Sequence, residues 1–477
     1  MKCNERWSVE YYLPPNITGY KIFIDRVAPS EDAISLSWSG GAEQWAVNYR
    51  SKGSDEAWSE VKTDSTCAKI SGLEENKEYE FYVKSGADIS MTGYARTGYV
   101  TGTVVNYLHH EDMKYAFSGR HLCSPSLLVH PDGYMLASMD IFGRGTPQNL
   151  TLIMRSDDGG ESWYHYTELF PCFWGTLFLH KGEVYMLSTS TEYGDLLIGK
   201  SSDGGKTWGR PTVIARGSCH KDVSGWHKSA VPVVEYGGRI WCNVDFGGRD
   251  SCGYLTCMLS ANAEGDLLDV SNWTISEPLS YDPDWEGTVQ YDIGKFKGFL
   301  EGNAVAVPNV GVFDVLRYST EAGVPTFGLA GILKADMNDP DAALKLHGFA
   351  KFDGNMSKFY LLRDDKTGYY FCIFSRVLER GWVRMRNLLS LAYSKDLEDW
   401  TLLCDLIDHT DKDPHKVAFQ YPSFCFDGDD IVYLSRTAFN GAKNCHDNNY
   451  ITFHRLKNFR DMLPSEDKQE KKQDELQ

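Results

Sequence analysis

Gly225-Trp226-His227-Lys228 and Cys445-His446-Asp447-Asn448-Asn449 are dense polar clusters in a chain that otherwise reads as one strand after another. An imidazole can pass a proton near neutral pH, a property that strand packing does not need. The plain alternative for each is a solvated or capping histidine. Carboxylates occupy comparable contexts. Asp140 follows the strand-like run Tyr134-Met135-Leu136-Ala137-Ser138-Met139, and Glu192 and Asp195 lie at the equivalent place one repeat later. A carboxyl group so placed either faces a common pocket, where it can exchange a proton, or is an ordinary turn residue. Cys252 and Cys257 are close in sequence but lack a second pair at zinc-ligand spacing, so no metal site is expected.

The elements that must bring these residues together are announced by a repeat. Ser156-Asp157-Asp158-Gly159-Gly160-Glu161-Ser162-Trp163 recurs as Ser201-Ser202-Asp203-Gly204-Gly205-Lys206-Thr207-Trp208, 45 residues later. In each copy the Asp can accept hydrogen bonds from its own turn, the glycines supply positive φ, and the Trp packs back under the hairpin. That period matches one four-stranded propeller blade. Degenerate copies fall at Ser260 to Trp273 and at Ser394 to Trp400. Residues 106–463 therefore read as an all-β propeller of five to seven blades, with six the preferred count. Its inner strands would converge on one axis and gather polar residues that are far apart in sequence.

Residues 16–100 read as a separate β-sandwich. Short alternating runs at Lys21–Ile24, Ile34–Trp38, Trp45–Arg50 and Tyr79–Val83 are separated by turn residues at the rhythm of such folds. Trp38, Ile70-Ser71-Gly72-Leu73 and Tyr79 resemble the fibronectin type III pattern, which implies a tyrosine corner over the leucine. The apolar connector Thr101–Tyr107 reads as a strand or docked segment, and residues 464–477, rich in charge, as a disordered tail.

Bulk numbers narrow the function. With 48 Lys and Arg against 66 Asp and Glu, the net charge is −18, which argues against non-specific nucleic-acid binding. No run approaches the ~20 apolar residues of a membrane helix. The first residues show no secretory h-region, and the twelve cysteines are scattered singly, so a cytoplasmic protein with reduced thiols is expected.

The propeller region resembles the sialidase superfamily. Leu300-Glu301-Gly302-Asn303-Ala304-Val305-Ala306-Val307 leading to Asp314-Val315-Leu316-Arg317 is similar to the segment with that family's glutamate and an arginine. Gln420-Tyr421-Pro422-Ser423, running into Phe424 to Tyr433, is similar to its nucleophilic-tyrosine segment. The resemblance implies Tyr421 as nucleophile, Glu301 as its base, and Arg317 on a substrate carboxylate. A further arginine would come from Arg376, Arg384 or Arg386. Phenol has a pKa of about 10, so the tyrosine needs an adjacent carboxylate to take its proton, and it avoids repelling an anionic sugar. Two positions depart from the pattern. Cys123 stands where the family's first arginine would be, with Arg120 three residues upstream as a substitute. The nearest carboxylate ahead of the first turn motif is Asp140, the implied acid, with Glu192, Asp195, His227 and His446 as further pocket candidates.

The expectation is an exo-acting glycoside hydrolase that releases a terminal acidic sugar and requires no cofactor. A lyase acting on uronate-containing glycans and a non-catalytic carbohydrate-binding propeller are the other classes.

Overall fold

The computed structural model describes residues 6–8, 14–218, 223–248, 253–282, 285, 296–320, 329–351, 353–354, 357–378 and 385–464. Arg384, Cys252 and the charged tail beyond residue 464 lie outside them. Among the described residues the regular structure is almost entirely antiparallel β.

Near the N-terminus, a three-stranded sheet (Phe23–Pro29, Ala33–Ser39, Cys67–Ser71) and a five-stranded sheet built around Trp45–Ser51 and Glu78–Ser85 share one core. The strand Ala33–Ser39 buries alternate residues, as period-two patterning requires. Ile34, Leu36 and Trp38 from one sheet meet Val47, Phe81 and Val83 from the other. The Tyr79 hydroxyl accepts a hydrogen bond from the Glu74 N–H at 2.9 Å, fastening the loop just beyond Leu73.

Six sheets follow. Blade 1 comprises His121–Val129, Met135–Phe142, Thr151–Ser156 and Tyr164–Leu169; blade 2 comprises Phe173–His180, Glu183–Thr189, Leu196–Ser201 and Thr212–Ala215. In blade 3, Gly225–His227 and Val233–Tyr236 both pair with Arg239–Gly248, which is followed by Gly253–Asn262 and Trp273–Ile275. Blade 4 runs Phe296–Val307, Gly311–Thr320, Ala330–Lys334 and Lys345–Ala350; blade 5 runs Tyr360–Arg363, Tyr370–Ser375, Leu388–Ser394 and Thr401–Asp408. Blade 6 takes Ala418–Asp427, Asp430–Ala438 and Tyr450–Leu456 from the C-terminal end and its fourth strand, Thr103–Tyr107, from the connector. Of the two readings of the connector, strand or docked segment, it is the strand that forms, and it closes the ring.

Each blade junction has its own hydrophobic core. Leu136 and Ile153 meet Met186 and Leu197 between blades 1 and 2, and Trp241 and Met258 meet Phe299 and Leu316 between blades 3 and 4. Between blades 6 and 1, Val432 and Phe453 meet Met135 and Leu152. The repeated turns sit between third and fourth strands, at the rim. Asp158 Oδ1 accepts from Ser162 N at 2.9 Å, and Trp163 Nε1 donates to the Gly160 carbonyl at 3.2 Å; Asp203, Thr207, Trp208 and Gly205 repeat both bonds. Gly160 has φ 96°, and a Cβ there would meet the Phe453 ring at 2.1 Å, so both conformation and space demand glycine. These turns stabilise blades and lie away from the axis.

The N-terminal module is docked on blade 6. Tyr107 and Tyr450 are buried in its core, and Arg26 donates from Nε and Nη2 to the carbonyls of Val105 and Val104, each at 2.8 Å. Arg96 and Thr97 bond Asn440. Two truncations should therefore differ sharply. Removal of residues 1–100 keeps the closing strand and should give a folded propeller of lower Tm. Removal of residues 1–107 strips blade 6 of its outer strand and should leave little soluble, cooperatively melting protein. Expression yield and thermal melts of the pair check this.

Candidate active site

Four of the six innermost strands carry the same irregularity. The pairing register slips between Cys123 and Ser126 in blade 1, Phe173 and Thr176 in blade 2, Leu300 and Asn303 in blade 4, and Gln420 and Ser423 in blade 6. At each slip one non-glycine residue is left-handed: Ser124 (φ 46°), Trp174 (φ 53°), Glu301 (φ 55°) and Tyr421 (φ 50°). Such a bulge re-aims a side chain that a regular strand would send elsewhere, at a cost of about 1–3 kcal/mol.

Neighbouring blades hold these bulges in place. Asp140 of blade 1 accepts a hydrogen bond from Trp174 N at 2.8 Å, and Asp245 of blade 3 accepts from Glu301 N at 3.0 Å. Asn243 adds a bond from Gly302 N at 3.0 Å. The amine of Lys228, fully buried, donates to the Trp174 carbonyl, Thr176 Oγ1 and the Ser229 carbonyl, each at 2.9 Å. Lys358, equally buried, donates to the Pro422 carbonyl at 2.6 Å, next to Tyr421; burial pushes its amine down to about 7. Neither lysine was named as a site residue from the sequence, although Lys228 belongs to the Gly225–Lys228 cluster.

Glu301 and Tyr421, from blades 4 and 6, are joined by one nitrogen. Arg317 Nη1 donates to Glu301 Oε2 in a close ion pair and to the Tyr421 hydroxyl at 3.1 Å. Ser229 Oγ donates to the other Glu301 oxygen at 2.9 Å. Burial pushes the Glu301 carboxyl up, but Arg317, His227 and these hydrogen bonds outweigh it and hold the group below its ordinary range. Burial also opposes the charge on Arg317, and Glu301 and Tyr421 reverse that and raise it. The pair is thus a fixed carboxylate and a fixed cation beside one phenol.

Two more guanidinium groups approach that phenol. Arg386 lies 5.8 Å and Arg436 5.1 Å from the Tyr421 ring centroid. Arg386 donates to Gln420 Oε1 in a close bond, and desolvation together with repulsion from Arg317 and Arg436 brings it down to about 10 despite the pull of Tyr421. Arg436 is held by neutral oxygens, Asn448 Oδ1 at 2.9 Å and the His446 carbonyl. Sequence reading missed Arg436. It stands opposite Gln420 in blade 6 as Arg317 stands opposite Leu300 in blade 4, so the register of the two strands was the signal. It also reaches the surroundings of Cys123, where its charge acts on a buried thiol that desolvation drives far up. A cation is therefore present near the place where the sequence lacks one.

Other candidates are placed differently. Asp140 is fully buried, with one oxygen taken by Thr151 Oγ1 at 2.6 Å and the other by Trp174 N; burial pushes it up to about 7. It fixes the blade 2 bulge from beneath, a positioning contact that its reading as the acid did not foresee. Asp195 is committed to Arg216 and to Gly217 N. Arg376 turns to Asp405 on the outer strand of blade 5, away from Tyr421. Arg120 is exposed ahead of the first strand of blade 1. Glu192 is half-buried, takes a hydrogen bond from Gln148 at 2.7 Å, and acts on Cys123. His446 pairs with Asp447 at 2.9 Å and packs on Phe142, and burial brings it down to about 3. His227 lies beside Glu301 with Nδ1 3.0 Å from Asp245.

No protein-family model matches this chain, and no curated protein matches it. Solved structures do. An α-L-arabinanase of Penicillium chrysogenum, complexed with arabinobiose, superposes at TM-score 0.50 with 14% identity over 76% of this chain and 99% of its own. The Hadza microbial sialidase Hz136 gives 0.50 and 11% over 89% and 93%. Trypanosoma rangeli sialidase gives 0.51 and 14% over 75% of this chain and 58% of its own. At such identities the likeness is one of fold: a sialidase-like, arabinanase-like propeller.

Proposed function

We propose that the protein is an exo-acting glycoside hydrolase of the sialidase superfamily, preceded by a fibronectin type III-like module, and that it removes a terminal acidic sugar. The observation that carries this reading is the Arg317 nitrogen shared between Glu301 and Tyr421, with Arg386 and Arg436 facing the same ring. Tyr421 attacks the anomeric carbon while Glu301 takes its proton, which is how a weak phenol nucleophile gains reactivity. Buried guanidinium groups need an anion to offset their desolvation. Among the described residues Glu301 answers Arg317 and neutral oxygens hold Arg436, so a sugar carboxylate is the natural complement, gripped in the planar, forked manner that suits arginine.

The test is a panel of fluorogenic sialosides, uronides and neutral glycosides, with products identified by mass. Release of the acidic sugar with addition of water supports the reading. An unsaturated uronide would instead mean lyase chemistry, and no turnover on any member would leave a binding propeller. Arg317→Lys should raise KM and lower kcat on the acidic substrate, because an ammonium group cannot reach Glu301, Tyr421 and a carboxylate in one plane. Equal kcat/KM for that substrate and its carboxyl-reduced analogue would return the arginines to a structural role.

A further inference from the structure

The site described so far has a nucleophile, a base for it and an anion grip, but no group to protonate the departing oxygen. Asp140 and Asp195 are spent on other contacts. His227 is not. It ends the first short strand of blade 3, at the register place that Cys123 holds in blade 1 and Gln420 in blade 6, opposite Asp245. Asp245 Oδ2 lies 3.0 Å from His227 Nδ1 and receives the Glu301 N–H at the same distance, so one fully buried carboxylate fixes both side chains. With Nδ1 turned to Asp245, the ring is locked and Nε2 projects from its opposite edge, where it has no hydrogen bond among the described residues. Trp174, the left-handed residue of blade 2, meets the imidazole edge-on at 4.3 Å, and Tyr254 and Tyr193 complete the enclosure at 5.0 and 6.2 Å. The residue retains 5% exposure. Charged and titratable neighbours are Asp245 and Tyr254 of its own blade, Lys228 next in the chain, Tyr193 of blade 2, and Glu301 with Arg317 of blade 4.

We infer that His227 is the proton-transfer residue of this site, with Asp245 as its positioning residue; the inference rests on the hydrolase reading above. In the first step the Tyr421 oxygen bonds the anomeric carbon and its proton passes to Glu301. The bond from carbon to the departing oxygen breaks, and that oxygen takes the proton from His227 Nε2. In the second step a water oxygen bonds the anomeric carbon and gives a proton to Nε2. The bond to Tyr421 breaks, and the phenol recovers its proton from Glu301.

The experiment compares leaving groups. The sugar that the wild-type protein releases is offered as a methyl glycoside, whose oxygen must be protonated, and as a glycosyl fluoride, whose leaving group need not be. His227→Asn keeps an N–H for Asp245 but cannot shuttle a proton. It should lose at least about 100-fold in kcat/KM on the methyl glycoside and less than about fivefold on the fluoride. Wild-type protein should show a basic limb in kcat/KM with the methyl glycoside and none with the fluoride, a measurement that needs no variant to fold. Equal losses on both substrates, or a leaving-group-dependent loss at Glu192→Gln and not at His227→Asn, would overturn the assignment. A wild-type protein that cleaves no glycoside would fail the hydrolase reading itself.

Discussion

Tyr421→Phe should abolish turnover, lowering kcat by at least about 10³-fold, while the protein stays folded. The expectation follows from what the substitution removes. Losing the nucleophilic oxygen removes the covalent route, and what remains is binding and electrostatics. The structural loss is small: one hydrogen bond from Arg317, worth about 1–2 kcal/mol, at a side chain that is only half-buried. The ring that Arg386 and Arg436 face is retained. Steady-state kinetics beside thermal melts separate the two effects, and activity within about threefold of wild type would remove Tyr421 from the mechanism.

Arg436→Met should discriminate between substrates by charge. Methionine fills much of the arginine stem's space, so the Asn448 and His446 contacts are lost with limited repacking. On an acidic substrate the loss of a charge-assisted contact of about 2 kcal/mol corresponds to roughly a 30-fold rise in KM. On the carboxyl-reduced analogue the change should stay within about threefold. The ratio of kcat/KM for the pair, measured for both proteins, reads the effect directly. A loss of equal size on both substrates would make Arg436 a support for Tyr421 and not part of an anion site.

What the sequence disclosed depended on how local the determinant was. The Asp158 and Asp203 turns were legible because every bond in them lies within a few residues, and so were the N-terminal module's strands at Phe23–Pro29, Ala33–Ser39, Trp45–Ser51 and Glu78–Ser85, while the polar Ser59–Thr63 and the short Gly93–Arg96 were not. Glu301 and Tyr421 were legible as segments, but their left-handed backbone was not, because Asp245 fixes the Glu301 bulge from another blade. Arg436 escaped notice because it sits in an ordinary alternating strand, and only pairing opposite Gln420 shows that it matches Arg317. Asp140 shows the converse. A carboxylate after an apolar strand looks the same in sequence whether it faces a pocket or caps a neighbour's N–H, and only the structure shows that it accepts from Trp174 N.

The shared last blade has a consequence for synthesis. Thr103–Tyr107 leaves the ribosome long before its partner Tyr450–Leu456, which follows roughly 340 residues later. At about 5–20 residues per second that is a wait of roughly 20–70 seconds with one strand edge unmatched. Tyr107 is seated in the N-terminal core and Arg26 holds the carbonyls of Val104 and Val105, so the early-folding module can keep that strand sheltered meanwhile. Tyr421 and Arg436 belong to the same late blade, so a nascent chain carries Glu301 and Arg317 without their counterpart and stays inert until the ring snaps shut.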